Sequence, residues 1–179
     1  VRLIGIRTVL KCICIALIAV GVGVTGCGYR FAGDPGDTPF PPELKTIVLE
    51  SAINNTTVRG IETEFTNALR SEFALGTRLK QVASGGDLQM KTQIVSFEDT
   101  PSAYRADGKE ATRIGTLTVR CSLQKSDTHK ELWKKDFSAS QTYDVTDSIA
   151  ETLSNRRRAI SRMIKDLIPR IHRSLYDSF

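Results

Sequence analysis

The stretch Thr116-Leu-Thr-Val-Arg-Cys-Ser-Leu123 alternates polar and apolar side chains without a break. Successive side chains of a strand leave opposite faces, so Leu117, Val119, Cys121 and Leu123 share one face and Thr116, Thr118, Arg120 and Ser122 the other. That pattern predicts a half-buried antiparallel strand with one wet face. The segments on either side repeat it. Leu88, Met90 and Ile94 alternate with Gln89, Lys91 and Gln93, and Trp133, Phe137 and Ala139 alternate with Lys134, Asp136 and Ser138. Both connections read as hairpins: Ser126 to Lys130 is short and polar, while Thr100 to Lys109 carries a proline and an Asp107-Gly108 turn pair and is long enough to project.

Outside these three strands the period changes to that of helices. Ile47-Val48-Leu49 is a short continuous apolar run, suited to a strand buried on both sides. Asn54-Asn55-Thr56-Thr57 supplies capping side chains, and Glu62 and Glu64 bring negative charge to a helix start, so a helix is expected from near Thr57. Ile61, Phe65, Ala68, Leu69 and Phe73 keep to one face, and Gly76 stands where a C-cap glycine ends it. At the other end of the chain Ser148-Ile-Ala-Glu151 is a capping-box pattern. Ile149, Leu153, Ile160, Ile164, Leu167, Ile171 and Leu175 then run along one stripe of a long helix, which Pro169 is expected to kink or break. The order strand, helix, three strands, helix defines an α+β fold: a two-layer sandwich of one mostly antiparallel four-stranded sheet with both helices on its apolar side.

The beginning of the chain is of another kind. Arg2, Arg7 and Lys11 precede an uncharged run from Cys12 to Val24, and Val24-Thr25-Gly26-Cys27 closes it. This has the form of a secretory signal. A transmembrane anchor is the competing reading, but 13 apolar residues reach only roughly 20 Å, short of the ~30 Å hydrocarbon core. Small residues before a terminal cysteine resemble the lipobox of bacterial lipoproteins, in which Cys27 is acylated and becomes the first residue. The expected organisation is therefore a signal peptide over 1–26, a lipidated Gly- and Pro-rich tether over 27–42 and a single domain over 43–179.

Removing residues 1–26 leaves 153 of 179 residues, enough for one core. It also takes three basic residues, lowering the net charge from +5 to +2, so the basic balance gives little support to nucleic-acid binding. Cys12 and Cys14 leave with the signal and Cys27 is blocked by lipid. Cys121 remains, and on the apolar face of its strand it reads as an inert core thiol. Trp133 reads as core on the same grounds. His129 and His172 fall in no metal-ligand spacing, so no metal or other cofactor is expected. No nucleophile stands with a base; Glu98-Asp99 sits at a strand end where it caps or solvates a loop, and the chain reads as a binding module and not an enzyme.

Charge is concentrated in two places. The last helix carries Arg156, Arg157, Arg158, Arg162, Lys165, Arg170 and Arg173, either a solvated face or a surface for anionic headgroups or an acidic partner. The loop Thr100 to Lys109 carries Tyr104, Arg105 and Lys109 around its turn.

Cys27-Gly-Tyr-Arg-Phe, Pro-Pro-Glu-Leu-Lys-Thr-Ile-Val-Leu before the first strand, Gly60-Ile-Glu-Thr-Glu-Phe-Thr-Asn-Ala-Leu in the first helix and Glu131-Leu-Trp before the last strand resemble the LPS-assembly lipoprotein family LptE. The resemblance implies an outer-membrane lipoprotein, anchored through Cys27, that sits inside the LptD β-barrel, assists its assembly and binds lipopolysaccharide. Gly28 agrees, because aspartate at that place is what retains enteric lipoproteins at the inner membrane. Within the family basic residues near this loop tip are implicated in lipopolysaccharide binding; the position carried over is Arg105, with Lys109 a weaker match. Lipid A and the inner core bear phosphates, which a guanidinium can grip in a bidentate way; equally, the loop could be solvated with its charges in contact with nothing. A second resemblance, to periplasmic lipoproteins that regulate cell-wall synthases and begin with a similar strand, Asn-Asn-Thr turn and helix, stays open.

Overall fold

The computed structural model describes residues 43–76 and 78–178. The signal peptide, Cys27 and the tether lie outside the described residues. The elements are β1 (Thr46–Leu49), β2 (Ile53–Asn54), α1 (Ile61–Leu75), β3 (Lys80–Gln81), β4 (Leu88–Tyr104), β5 (Glu110–Lys125), β6 (Glu131–Asp144) and α2 (Ile149–Tyr176).

The fold is α+β with both helices on the apolar face, as expected, but the sheet has six strands and not four. Its order is β3-β1-β4-β5-β6, with β2 also paired to β4. The three alternating segments form an antiparallel meander in which Val119 lies opposite both Ile94 and Phe137. On the other side β1 and then β2 run parallel to β4 like one interrupted strand, Ile47 opposite Leu88 and Ile53 opposite Gln93. The parallel pair is fastened at its start by Asp87, whose Oδ2 accepts from Lys45 N, Thr46 N and Thr46 Oγ1 at 3.0, 2.9 and 2.7 Å. These bonds to the charged form, led by the Thr46 hydroxyl, hold the Asp87 carboxyl below its usual range.

The inward residues of the strands meet α1 and α2 in one core, in which Ile47, Phe65, Leu88, Met90, Leu117, Leu123 and Leu167 are at most 1% exposed. Cys121 is fully buried among them, and burial pushes its thiol up to about 12, so it is a core side chain and not a nucleophile at neutral pH. Trp133 is core as well, with its indole N–H donated to Ser178 Oγ at 3.2 Å.

Four details depart from expectation. Helix α1 begins at Ile61, because the Asn54 side chain folds the preceding segment into a turn: Oδ1 accepts from Thr56 N at 2.9 Å and Nδ2 donates to Val58 O and Glu62 Oε2, both at 2.8 Å. Gly60, at φ +84°, takes the N-cap place instead. Gly76 does end α1, but in an extended conformation; what demands glycine there is crowding, since a Cβ would stand 3.2 Å from His172 Nε2. Pro169 does not interrupt α2, which runs unbroken through it; the flanking Leu167, Ile168 and Ile171 are buried and offset the one lost backbone bond. Finally, the segment read as a long loop from Thr100 to Lys109 is strand over its first half. β4 continues to Tyr104, with register shifts between Ile94 and Ser96 and again beyond Pro101, and only residues 105–109 form the turn.

Candidate functional site at the β4–β5 tip

The distal third of the meander leaves the core behind: Pro101 to Tyr104 and Ala106 to Lys109 are all exposed. Arg105 N donates to Lys109 O at 2.7 Å and Gly108 N to Arg105 O at 3.0 Å, with Gly108 at φ +82° as the turn requires. Asp107 Oδ1 accepts from Lys109 N at 3.0 Å. This closure sets the two residues singled out by the sequence on either side of one turn.

They converge on a carboxylate from another element. Arg105 Nη2 lies 3.3 Å from Asp147 Oδ1, and Lys109 Nζ lies 3.6 Å from the same oxygen. Asp147 directly precedes Ser148, the N-cap of α2, whose side chain accepts from Glu151 N at 3.4 Å. Arg105 also donates to Glu110 O at 3.3 Å and keeps Nε without a hydrogen-bond partner among the described residues. Lys109 and Asp147 are 62% and 71% exposed, so this contact is open to water and weakly held.

Beneath the turn lies a tighter cluster. Arg113 donates to Asp99 Oδ1 at 2.9 Å and Glu110 Oε2 at 2.7 Å, and Tyr143 Oη donates to Asp99 Oδ2 at 2.9 Å. Arg156 Nε makes an ion pair with Asp99 Oδ2 at 3.0 Å, without hydrogen-bond alignment, and its guanidinium lies 4.8 Å from the Phe97 ring centroid. Gly115 makes room for that ring, for a Cβ would stand 3.1 Å from it. The bond to Glu110, and then the Asp99 charge, raise the affinity of Arg113 for its proton, while burial pushes the Tyr143 phenol up. Asp99 thus does not cap a loop, as the sequence suggested; it ties β4, β5, β6 and α2 together and fixes the base of the tip.

The basic residues of α2 divide. Arg156 is engaged with Asp99, Arg158 hydrogen-bonds Asn155 Oδ1, and Arg170 donates at 3.0 Å to both Asp166 Oδ2 and Ser138 O. Arg157, Arg162, Lys165 and Arg173 are exposed. Arg156 and Arg170 therefore hold the helix to the sheet. His129, in the β5–β6 turn, is an exposed residue at φ 54°. Among the described residues no cluster of His, Cys, Asp and Glu could hold a metal, and no helix is long and apolar enough to cross a membrane.

The arrangement is that of a small single-sheet α+β domain presenting, beyond its core, a hairpin tip on which Arg105 and Lys109 share the Asp147 carboxylate. The chain belongs to the LptE lipopolysaccharide-assembly family, whose model matches residues 44–175. The fold is similar to that of lipoprotein B from Nitrosomonas europaea (16% identity, 80% of this chain and 89% of that one, TM-score 0.53). It is also similar to rare lipoprotein B from Shewanella oneidensis (14% identity, 73% and 95%, TM-score 0.52) and to a hypothetical protein from Chlamydia trachomatis (8% identity, 71% and 95%, TM-score 0.51). No curated protein matches the chain in sequence.

Proposed function

We propose that the protein is an outer-membrane lipoprotein, anchored through Cys27 and not an enzyme, that assembles with an LptD-type β-barrel and binds lipopolysaccharide through Arg105 and Lys109 at its tip. Family membership supports the lipopolysaccharide-assembly role. The observation that carries the site is the convergence of Arg105 and Lys109 on one exposed carboxylate oxygen, the geometry a phosphate oxygen would use. The outer sheet face supports a barrel partner, because it presents neutral or self-paired polar groups such as Thr116 with Ser140 at 2.9 Å and Arg120 with Asp136 at 2.8 Å, suited to a wide polar lumen.

The test has two arms. Affinity purification from detergent-solubilised membranes is expected to recover an outer-membrane barrel in stoichiometric amount, and Cys27→Ala to lose lipid labelling. Recovery of a cell-wall synthase without a barrel would favour the other reading, a periplasmic regulator. In the second arm Arg105→Glu with Lys109→Glu is expected to lower lipopolysaccharide affinity about ten-fold in a salt-dependent way, each exposed contact being worth a modest amount. Unchanged binding would remove the tip from the reading.

A further inference from the structure

The two ends of the strand order differ in what they offer to another strand. β3 has two residues, whereas β6 has 14 and pairs on one side with β5. Val145 N donates to Ala111 O at 2.8 Å, and the register then runs from Asp144 opposite Thr112 to Trp133 opposite Leu123. Residues that bond across an antiparallel pair alternate with residues that do not. Phe137, Ala139, Gln141 and Tyr143 therefore turn their backbone groups to β5, and Ser138, Ser140, Thr142 and Asp144 turn theirs to the open side. From Phe137 to Tyr143 the strand reads Phe-Ser-Ala-Ser-Gln-Thr-Tyr, with no charge and no proline. An edge of that length and composition is a template for the addition of another strand.

Helix α2 reaches this edge at two points. Arg170 Nη1 donates to Ser138 O at 3.0 Å, and Asn155 Nδ2 donates to Asp144 O at 2.9 Å. Each donor is itself held in place, Arg170 by Asp166 Oδ2 at 3.0 Å and the buried Asn155 by the Arg158 guanidinium on its Oδ1. The two caps stand at the ends of the stretch 138–144. Between them the outward backbone groups of Ser140 and Thr142 have no hydrogen-bond partner among the described residues.

We infer that the β6 edge is a latent self-association surface for a second copy of this chain, held shut by Arg170 and Asn155. The stretch is complementary to itself. With β6 of a second copy antiparallel along the edge and the two-fold axis at Gln141, Ser138 faces Asp144 of the other copy and Ser140 faces Thr142, each pair exchanging two hydrogen bonds. No like charges meet in that register, and this self-match selects a second copy over an unrelated strand. Each copy contributes four outward carbonyls, of which those of Ser138 and Asp144 are already taken by α2. The caps thus act by competition, because pairing along 138–144 must first displace a donor at both ends of the stretch. The inference is independent of the function proposed above and concerns a different part of the sheet.

The experiment measures the association state of the purified full-length protein in detergent solution, by light scattering over a concentration series, with the melting temperature of each variant alongside. The wild type is expected to be monomeric. Arg170→Ala frees one carbonyl in each of two copies and is expected to tighten dimerisation roughly thirty-fold, and Asn155→Ala by a similar factor. Ser140→Pro added to Arg170→Ala is expected to restore the monomer: the Ser140 N–H faces the open side, so a proline there costs no bond to β5 and breaks the ladder between copies. Amide exchange at Ser140 and Thr142 is expected to slow with rising concentration in Arg170→Ala and not in the wild type. Association no stronger than wild type in either cap variant, with its melting transition kept, overturns the inference. So does an Arg170→Ala dimer that persists with Ser140→Pro, since it would lie on another surface. A wild type that already dimerises and is dissociated by Ser140→Pro overturns the role of the caps. Loss of the melting transition in both cap variants overturns it as well, by reducing the two contacts to supports of α2.

Discussion

Two aspartates decide how the tip behaves. Asp99 is enclosed, with its carboxylate shared among Arg113, Arg156 and Tyr143, and is therefore a structural anchor. Asp147 is exposed and holds Arg105 and Lys109 by contacts of 3.3 and 3.6 Å, so it occupies the place of an incoming anion without being able to keep it. Asp147→Asn keeps the shape of the side chain and removes the competing charge, and it is expected to tighten lipopolysaccharide binding about two- to five-fold at low salt, the range an exposed ion pair allows. A titration calorimetry series across ionic strength checks this, and equal or weaker affinity in the variant counts against it. The sequence exposed half of this arrangement. Arg105 and Lys109 were legible because they flank a recognisable Asp-Gly turn, whereas Asp147 lies 42 residues beyond Arg105 and no local pattern joins them. Asp99 was misread for a related cause: its partners sit on three other elements, and adjacency to Glu98 was the visible cue.

At the level of elements, the long periodic segments were legible and the short ones were not. β5 announces itself over eight alternating residues, while β2 and β3 have two residues each and owe their existence to the hydrogen bonds of β4 and β1. The extent of β4 was hidden because its register shifts break the alternation beyond Ile94 and its far end buries nothing. The junction of α1 and α2 is also a product of packing. His172 places its ring edge-on to Phe73 and Tyr176 at 5.0 and 4.8 Å, with Nδ1 4.0 Å from Glu72 Oε1. Burial lowers its affinity for a proton, an effect that Glu72 opposes and Arg78 assists. Between the usual histidine value near 6.5 and the lower value of the folded protein, the unfolded chain binds the extra proton, so stability falls as pH drops through that window. Urea midpoints at pH 7 and pH 5 are expected to show a loss in the wild type that shrinks in His172→Gln. An equal loss in both proteins would mean that carboxylates alone account for it.

For the whole molecule the main division is between a body with a core and a tip without one. The buried residues fall within the span from Leu44 to Leu175, but none belongs to residues 95–114, which the body carries as a ribbon tied down at Asp99. That separation makes a strong prediction about a shortened hairpin. Ala103 and Thr112 are paired across the two strands, and Ser102 and Thr112 share a hydrogen bond of 2.7 Å, so residues 104–111 can be replaced by Asn-Gly, a pair suited to a two-residue hairpin turn. The replacement removes Tyr104, Arg105 and Lys109 together with the partner Arg113 has in Glu110, but keeps its bond to Asp99, the Phe97 stack and every core side chain. The shortened protein is expected to melt within a few degrees of the wild type, since the losses are exposed contacts, the half-buried Arg113–Glu110 pair and the backbone bond from Val145 N to Ala111 O, each worth about 1 kcal/mol. It is expected to copurify with the barrel at the wild-type level and to lose lipopolysaccharide binding to at least the extent of the Arg105→Glu, Lys109→Glu variant. Failure to recover the barrel, with the melting temperature preserved, would show that the tip belongs to the barrel interface and would move the search for lipopolysaccharide contacts to the exposed arginines of α2.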